Sequence, residues 1–102
     1  MAKLYITEFS KMGSEWAGSH KMPAAIVPPI VDQDPLAIGV ASAQSNAFNG
    51  ETRVVRLHCD AICSVAFGIN PTATTDNARL AEGQTEYFSV VPGHCVAVIE
   101  NT

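Results

Sequence analysis

The sequence predicts an all-β fold: a single-domain β-sandwich or jelly roll of about seven to eight strands, spanning residues 1–102. Three observations support this prediction. Short apolar segments recur along the chain, separated by turn signals rich in glycine, proline and asparagine. Within these segments apolar and polar residues alternate with the period of two that is typical of strands. No segment shows a convincing helical period, and many short strands in one chain are typical of sandwiches and barrels.

The central block of the chain covers residues 53–99, and we interpret its first part as a β-hairpin. Val55, Leu57 and Cys59 fall on one face of a strand, and the residues between them are polar or charged. A return strand follows from residue 63 and ends at a glycine, before an Asn-Pro pair that cannot continue a hydrogen-bonded ladder.

The second part of the block, residues 85–99, is also interpreted as a hairpin. Its turn is Val91-Pro92-Gly93-His94, in which proline and glycine occupy the positions that a type II turn requires. Apolar residues lie on both faces of the two flanking segments. A hairpin with one wet face would not show this pattern, so we expect a central element covered on both sides.

The N-terminal part of the chain begins with a predicted strand over residues 3–9, which is β-branched and aromatic. Residues 10–35 are predicted to form a loop followed by an extended, proline-containing arm. Pro28 and Pro29 exclude a central strand there and favour an edge or a polyproline II segment.

Three further segments complete the predicted order of elements. Residues 36–41 form a strand that could extend to residue 45, and Asn49-Gly50 is a hairpin turn signal that leads into the central block. Residues 72–84 are polar, and we expect a surface loop with at most one helical turn over residues 77–80.

The charge and composition of the chain indicate which partners to expect. The net charge is −4 and the six basic residues are scattered, so nucleic acid and anionic membranes are not expected as partners. Charged residues make up only 16% and hydrophobic residues 47% of the chain. Such a neutral surface predicts a permanent partner, and we expect a homo-oligomer, a dimer or a trimer. We find no signal peptide and no membrane-spanning run, and expect synthesis in the cytoplasm.

The histidines and cysteines are the strongest candidates for a metal-binding or catalytic site. His58, Cys59, Cys63, His94 and Cys95 are the only metal-like set, but their spacing is not that of a zinc site. We therefore expect three free, buried thiols, no bound metal and no cofactor. No orienting partner for a nucleophilic cysteine is evident either, and the sequence predicts no enzyme.

The acidic residues also give no indication of a catalytic site. Asp32 and Asp34 are the closest pair, and because they flank a proline-rich segment we interpret them as part of a solvated turn. A cupin-like metalloenzyme would need two or three histidines on neighbouring strands facing the interior. Alternation places His58 on the face opposite the apolar one, which argues against that class.

Several motifs occur in an order that resembles small structural proteins of tailed bacteriophages. They are a "DAIC" turn, "FGINPTAT", "EYFSVVPG" and a final "VAVI" within residues 55–99, together with "LYITEF" at residues 4–9 and "QSNAF" at residues 44–48. The chain is similar to head-decoration, or cement, proteins. The resemblance implies a β-sandwich or jelly roll that binds the major capsid protein on the outside of the virion. It implies no catalytic residues.

The resemblance leaves the contact surface to be inferred from the residues. An apolar arm left free in water would expose a contiguous patch, so it packs either on a neighbouring subunit or the shell, or back on its own sandwich. The hypothetical interface residues are Trp16, Ile26, Val27, Ile30, Val31, Tyr87 and Phe88. Two other classes remain open: another virion component, such as a head–tail adaptor or tail protein, and a carbohydrate-binding jelly roll with exposed aromatic residues clustered on one face.

Overall fold

The computed structural model describes residues 2–14, 21–25 and 27–102, and within these ranges the chain forms strands, turns and loops without a helix. The predicted all-β class is confirmed. The strands are β1 (Lys3–Phe9), β2 (Met12–Ser14), β3 (Lys21–Ala25), β4 (Val31–Asp32), β5 (Leu36–Ala37), β6 (Ala43–Gln44), β7 (Val54–Cys59), β8 (Cys63–Gly68), β9 (Ala78–Leu80), β10 (Thr85–Ser89) and β11 (Cys95–Glu100).

Nine of these strands form two antiparallel sheets, as expected for a β-sandwich. The first sheet has the order β10-β7-β1-β4, with β5 also paired to β1. The second sheet has the order β6-β11-β8-β9. Strands β2 and β3 form a separate two-stranded ribbon within the predicted arm. Eleven strands are described instead of seven or eight, because several are only two or three residues long and too short for alternation to reveal them.

The core lies between the two sheets and follows the predicted alternation. Val55, Leu57 and Cys59 of β7 are fully buried, as are Leu4 of β1 and Val96 of β11. Burying one such aliphatic side chain stabilises the fold by about 1.5–3 kcal/mol. The period-two pattern therefore identified correctly which face of β7 is turned inward.

The first predicted hairpin is wrong. β7 pairs with β1 and β10, whereas β8 pairs with β11 and β9, so the segment from Asp60 to Ile62 joins the two sheets instead of two neighbouring strands. In such a connection the inward faces of the two strands meet across the core. Alternation within each strand is the same for a hairpin and for a crossing between sheets, and it therefore cannot separate them.

The second predicted hairpin is also wrong, although its turn is correct. The His94 N–H donates to the Val91 carbonyl oxygen at 3.1 Å, and Gly93 has a φ of +83°. The flanking strands β10 and β11 nevertheless belong to different sheets. Residues 95–98 of β11 are all buried, as expected for a central strand, but β10 lies at the edge of the first sheet.

Three other local predictions need correction. Residues 36–45 are not one strand, because β5 ends at Ala37 and β6 belongs to the second sheet. The Asn49 carbonyl accepts the Thr52 N–H at 3.0 Å, so a turn forms there, but it joins β6 to β7 across the sandwich. Residues 78–80 form strand β9 rather than a helical turn, because Leu80 reaches the core and the segment pairs with β8.

The arm is attached to the first sheet at its C-terminal end. Val31 of β4 is opposite Glu8, and the Ile30 N–H donates to the Glu8 carbonyl at 2.8 Å. Ile30 and Val31 are therefore half-buried against their own sandwich, whereas Val27 is 73% exposed. Trp16 and Ile26 lie outside the described residues.

The side chain of Glu8 connects this part of the fold. It points inward from β1, is 1% exposed, and accepts three hydrogen bonds. Its donors are the Thr52 hydroxyl at 2.6 Å, the Asn49 backbone N–H at 2.8 Å and the Gln33 side-chain amide at 2.7 Å. A buried carboxylate is tolerated when such bonds replace its hydration.

We expect the substitution Glu8→Gln to lower the free energy of unfolding by about 1–3 kcal/mol, because one acceptor becomes a donor that faces the Gln33 amide. Gln33 cannot simply rotate its amide, since its oxygen already accepts the Asn46 N–H at 3.1 Å. Urea unfolding of the purified variant measures the loss. The matched control is Glu82→Gln at an exposed position, and an equal effect of both variants would contradict the assigned role of Glu8.

Candidate interaction face

The outer side of the first sheet, directed away from the core, carries a set of aromatic and polar side chains. Cross-strand neighbours on one side of an antiparallel sheet share a face. One row contains Tyr5, His58 and Thr85, and the next row contains Thr7, Arg56 and Tyr87. These six residues are called the open face.

Contacts within the open face hold its rings in place. The His58 Nδ1 lies 2.7 Å from the Thr85 hydroxyl oxygen, and the Tyr5 and His58 ring centroids are 6.4 Å apart. Tyr87 lies 6.4 Å, centroid to centroid, from Phe9, which is 5% exposed. The two tyrosines still expose 41% and 48% of their surface. They are thus supported by neighbours and accessible to a partner.

The outer side of the second sheet is covered by the chain itself. Small residues there, including Ser64 and Ala97, are 0% exposed. The loop over residues 69–77 crosses this side, where its Pro71 and Thr75 carbonyls accept bonds from the Gln44 and Asn101 amides. The Gln44 amide donates to the Asn70 side-chain oxygen at 2.6 Å, and the Asn101 amide donates to the Ser64 hydroxyl at 2.8 Å. The two outer sides of the sandwich therefore differ. The second is closed by a loop, whereas the first is accessible at Tyr5 and Tyr87 and buried only at its next row, Phe9 and Val54.

The open face has the composition of a binding surface. Tyrosine and arginine are the residues that contribute most to the energy of protein interfaces, because they combine large rigid area with hydrogen-bonding groups. Arg56 lies between the two exposed tyrosines, and Asp32 of β4 adjoins Thr7 at the border of the face. The arrangement offers rings, hydroxyls and one guanidinium on a rigid support.

The structure separates two of the predicted interface residues. Tyr87 belongs to the open face, whereas Phe88 points to the core side, is half-buried, and lies 5.0 Å from the ring of Phe67. Sequence reasoning missed Tyr5 and Arg56. Alternation placed Arg56 on the face opposite Val55 and Leu57 but assigned no face to Tyr5, and only the pairing of β1, β7 and β10 brings both residues beside Tyr87.

The cysteines occupy three buried positions and are free. Cys59 and Cys63 are neighbours in the core, and the Cys59 thiol donates to the Ala81 carbonyl at 2.9 Å. Burial, and next the neighbouring Cys59, raises the pKa of Cys63 from 9.0 to about 12. Burial also raises the pKa of Cys95. The thiols of Cys63 and Cys95 are thus poor nucleophiles at neutral pH.

The histidines and the cysteines do not form a common site. His58 belongs to the open face, on the opposite side of β7 from Cys59, as alternation predicted. His94 lies in the turn before β11 and is half-buried. Among the residues that the structure describes, no three His, Cys, Asp or Glu side chains converge as metal ligands.

An open groove of about 320 Å³ lies beside the arm. Asp32 and Asp34 line it together with Glu8 and the amide side chains of neighbouring loops. The Glu8 carboxylate is already engaged by its three donors, and Gln33 bonds both to Glu8 and to the Asn46 backbone. The polar groups at the base of this groove are therefore bonded to one another.

Comparison of the chain with protein-family models, curated proteins and solved structures gave no match. In the described ranges there is no helix long and apolar enough to cross a membrane. The function is therefore inferred from the open face, the arm and the motifs of the sequence.

We expect the native thiols to react slowly with iodoacetamide. At pH 8 the folded protein should be alkylated far more slowly than the urea-unfolded chain, and unfolding should expose all three cysteines. Mass spectrometry of timed samples measures the rates, with the unfolded chain as control. Rapid modification of Cys63 in the folded protein would contradict its burial.

The raised pKa of Cys63 makes the stability of the folded protein depend on pH in the alkaline range. The unfolded chain loses the Cys63 proton near pH 9.0, whereas the folded chain keeps it to about 12. The contribution of this group is therefore fully present below pH 9 and is lost as the pH rises toward 12. In urea unfolding, the variant Cys63→Ala should show a shallower loss of stability across that interval, and an unchanged slope would contradict the assignment.

Proposed function

We propose that this protein is a structural component of a tailed-bacteriophage virion that decorates and stabilises, or cements, the outside of the capsid shell. Its partner is the major capsid protein, and its location is the capsid surface after synthesis in the host cytoplasm. The observation that carries the proposal is the one-sided sandwich: the open face presents Tyr5, Arg56 and Tyr87, while the loop over residues 69–77 closes the other side.

Several physical properties support this function. A decoration protein binds a large, rigid surface, and a sheet whose inner side is the hydrophobic core is a rigid support for contact residues. The low charge of the chain, 16% charged residues, reduces the desolvation that binding requires. Each contact can be of modest affinity, because many copies linked to one another hold a shell by avidity.

The arm supplies a second contact in this proposal. Its root is fixed to the first sheet through the bonds of Ile30 and Val31 with β1, and Val27 beyond the root is 73% exposed. Together with Trp16 and Ile26, this part of the arm binds a neighbouring subunit or the shell. Prolines in the arm lower the entropy lost on docking, because their φ angle is already restricted.

A second candidate is a carbohydrate-binding module, and one observation favours it. Tyr5, His58 and Tyr87 lie on one face, which is the clustering of aromatic rings expected of that class. Such rings offer an apolar plane and a polar tip to a ligand. Binding of the purified protein to a glycan array, abolished by Tyr5→Ala, would favour this candidate over capsid decoration. The other alternative is a head–tail adaptor or tail protein. The position of the protein in the virion distinguishes that role from capsid decoration.

We expect the protein to co-sediment with undecorated capsids and to saturate at a fixed ratio to the major capsid protein. Replacing both Tyr5 and Tyr87 by alanine should weaken this binding by at least about tenfold, because the two rings supply the exposed aromatic area of the face. The matched control is Val40→Ala, which removes an 85% exposed apolar side chain from the loop after β5. The proposal would be contradicted if the double tyrosine variant bound capsids as well as the Val40→Ala control, or if the wild-type protein did not bind capsids.

For the arm, we expect Trp16→Ala to weaken capsid binding and to leave the thermal midpoint of the free protein nearly unchanged. Differential scanning calorimetry and capsid co-sedimentation measure the two quantities on the same sample. If the midpoint instead falls by several degrees and capsid binding is unaffected, Trp16 belongs to the protein's own core, and the arm is not a contact.

A further inference from the structure

Strand β10 leaves one long edge of the sandwich without a partner among the described strands. It spans Thr85–Ser89 and pairs with β7 along all five residues. No described strand pairs with its other side. A row of free backbone donors and acceptors at such an edge is a template for pairing with another chain.

The other edges of the two sheets are short, as in proteins that avoid edge pairing. β4, β5 and β6 are two residues long, and β9 is three residues long. β10 has only one of the usual protections, the single charge of Glu86, which lies on the core side of the strand. Its sequence TEYFS contains neither lysine nor proline, and its register with β7 continues without a bulge.

The hydrogen-bond pattern shows which residues of β10 face outward. The Val90 N–H donates to the Arg53 carbonyl at 2.9 Å, and the Gln84 carbonyl accepts the Cys59 N–H at 3.3 Å, so residues 84 and 90 direct backbone groups toward β7. Alternate residues of an antiparallel strand direct their backbone groups to the same side. Residues 86 and 88 therefore also bond β7, and residues 85, 87 and 89 present theirs to the free edge.

We propose that β10 pairs with β10 of a second copy of this chain, antiparallel and about a two-fold axis at Tyr87. In this register Thr85 of one copy faces Ser89 of the other, and the two Tyr87 residues face each other. All three outward-facing residues then form hydrogen-bonded pairs, about six N–H···O bonds in total. An isologous contact of this kind closes as a dimer.

The side chains are compatible with this register. The single charge of the strand, Glu86, faces Phe88 of the other copy instead of a second glutamate, so like charges are not opposed. Phe67 is 37% exposed beside this edge, with its ring against Phe88, and the second copy would cover it. On the outer side, the two Tyr87 rings become neighbours and join the two open faces into one surface.

The pairing rests on the free edge and does not depend on the capsid proposal. Its test is sedimentation equilibrium of the purified full-length chain from about one to one hundred micromolar, where we expect a monomer–dimer equilibrium. The variant Ser89→Pro removes an outward N–H without removing a bond to β7, and should raise the dissociation constant at least about tenfold. The matched control Ser89→Ala retains that N–H and should leave the constant unchanged.

A charge exchange tests the register independently of proline. Lysine at both 85 and 89 places like charges across the two-fold axis and should give a monomer with unchanged circular dichroism. Thr85→Lys combined with Ser89→Glu creates opposite-charge pairs and should restore the dimer. A wild-type monomer over the whole range, a trimer, or a dimer that the Ser89→Pro and double-lysine variants leave intact would overturn the proposal.

Discussion

The buried carboxylate of Glu8 holds together segments that are far apart in the chain. Gln33 is bound from the arm, and Asn49 and Thr52 from the turn that precedes β7. A carboxylate without water requires several donors, because burying an unpaired charge costs several kcal/mol. The segments that supply those donors are thus fixed relative to β1. This constraint places the root of the arm beside the first sheet and starts β7 in the register that builds the open face.

The two outer sides of the sandwich show how residue size decides what a sheet can bind. Ser64, Ala66 and Ala97 on the second sheet are small, so the loop over residues 69–77 can lie directly on them. On the first sheet, Tyr5 and Tyr87 stand in the equivalent outward positions and remain accessible. These two rings are left for another molecule, whereas Phe9 and Val54, in the next row of the same side, are buried. The proposed capsid contact and the carbohydrate alternative both rest on this difference.

Strand β10 takes part in both proposals. Its side chains alternate between the core, through Phe88, and the open face, through Tyr87, while its backbone forms the free edge. Dimerisation through the edge would place two open faces side by side in one continuous sheet. Each copy would then bind a repetitive surface with a neighbour attached, which raises avidity without any new contact to that surface. Edge pairing through the backbone of β10 and surface binding through Tyr87 would thereby strengthen each other.

The sequence by itself determined the local features: the all-β class, the long strands β1, β7, β8 and β11, the inward face of β7 and the turn at residues 91–94. These follow from alternation and from proline and glycine chemistry, which act over a few residues. Only the tertiary structure decided which strands are neighbours. Tyr5 and Tyr87 share a face because β1 and β10 both pair with β7, and Glu8 bonds partners 25 to 44 positions away. A connection that crosses between sheets buries the same alternate residues as a hairpin. The local pattern therefore carries no information about which strand pairs with which. Burial of the inward side chains against the facing sheet selects the pairing.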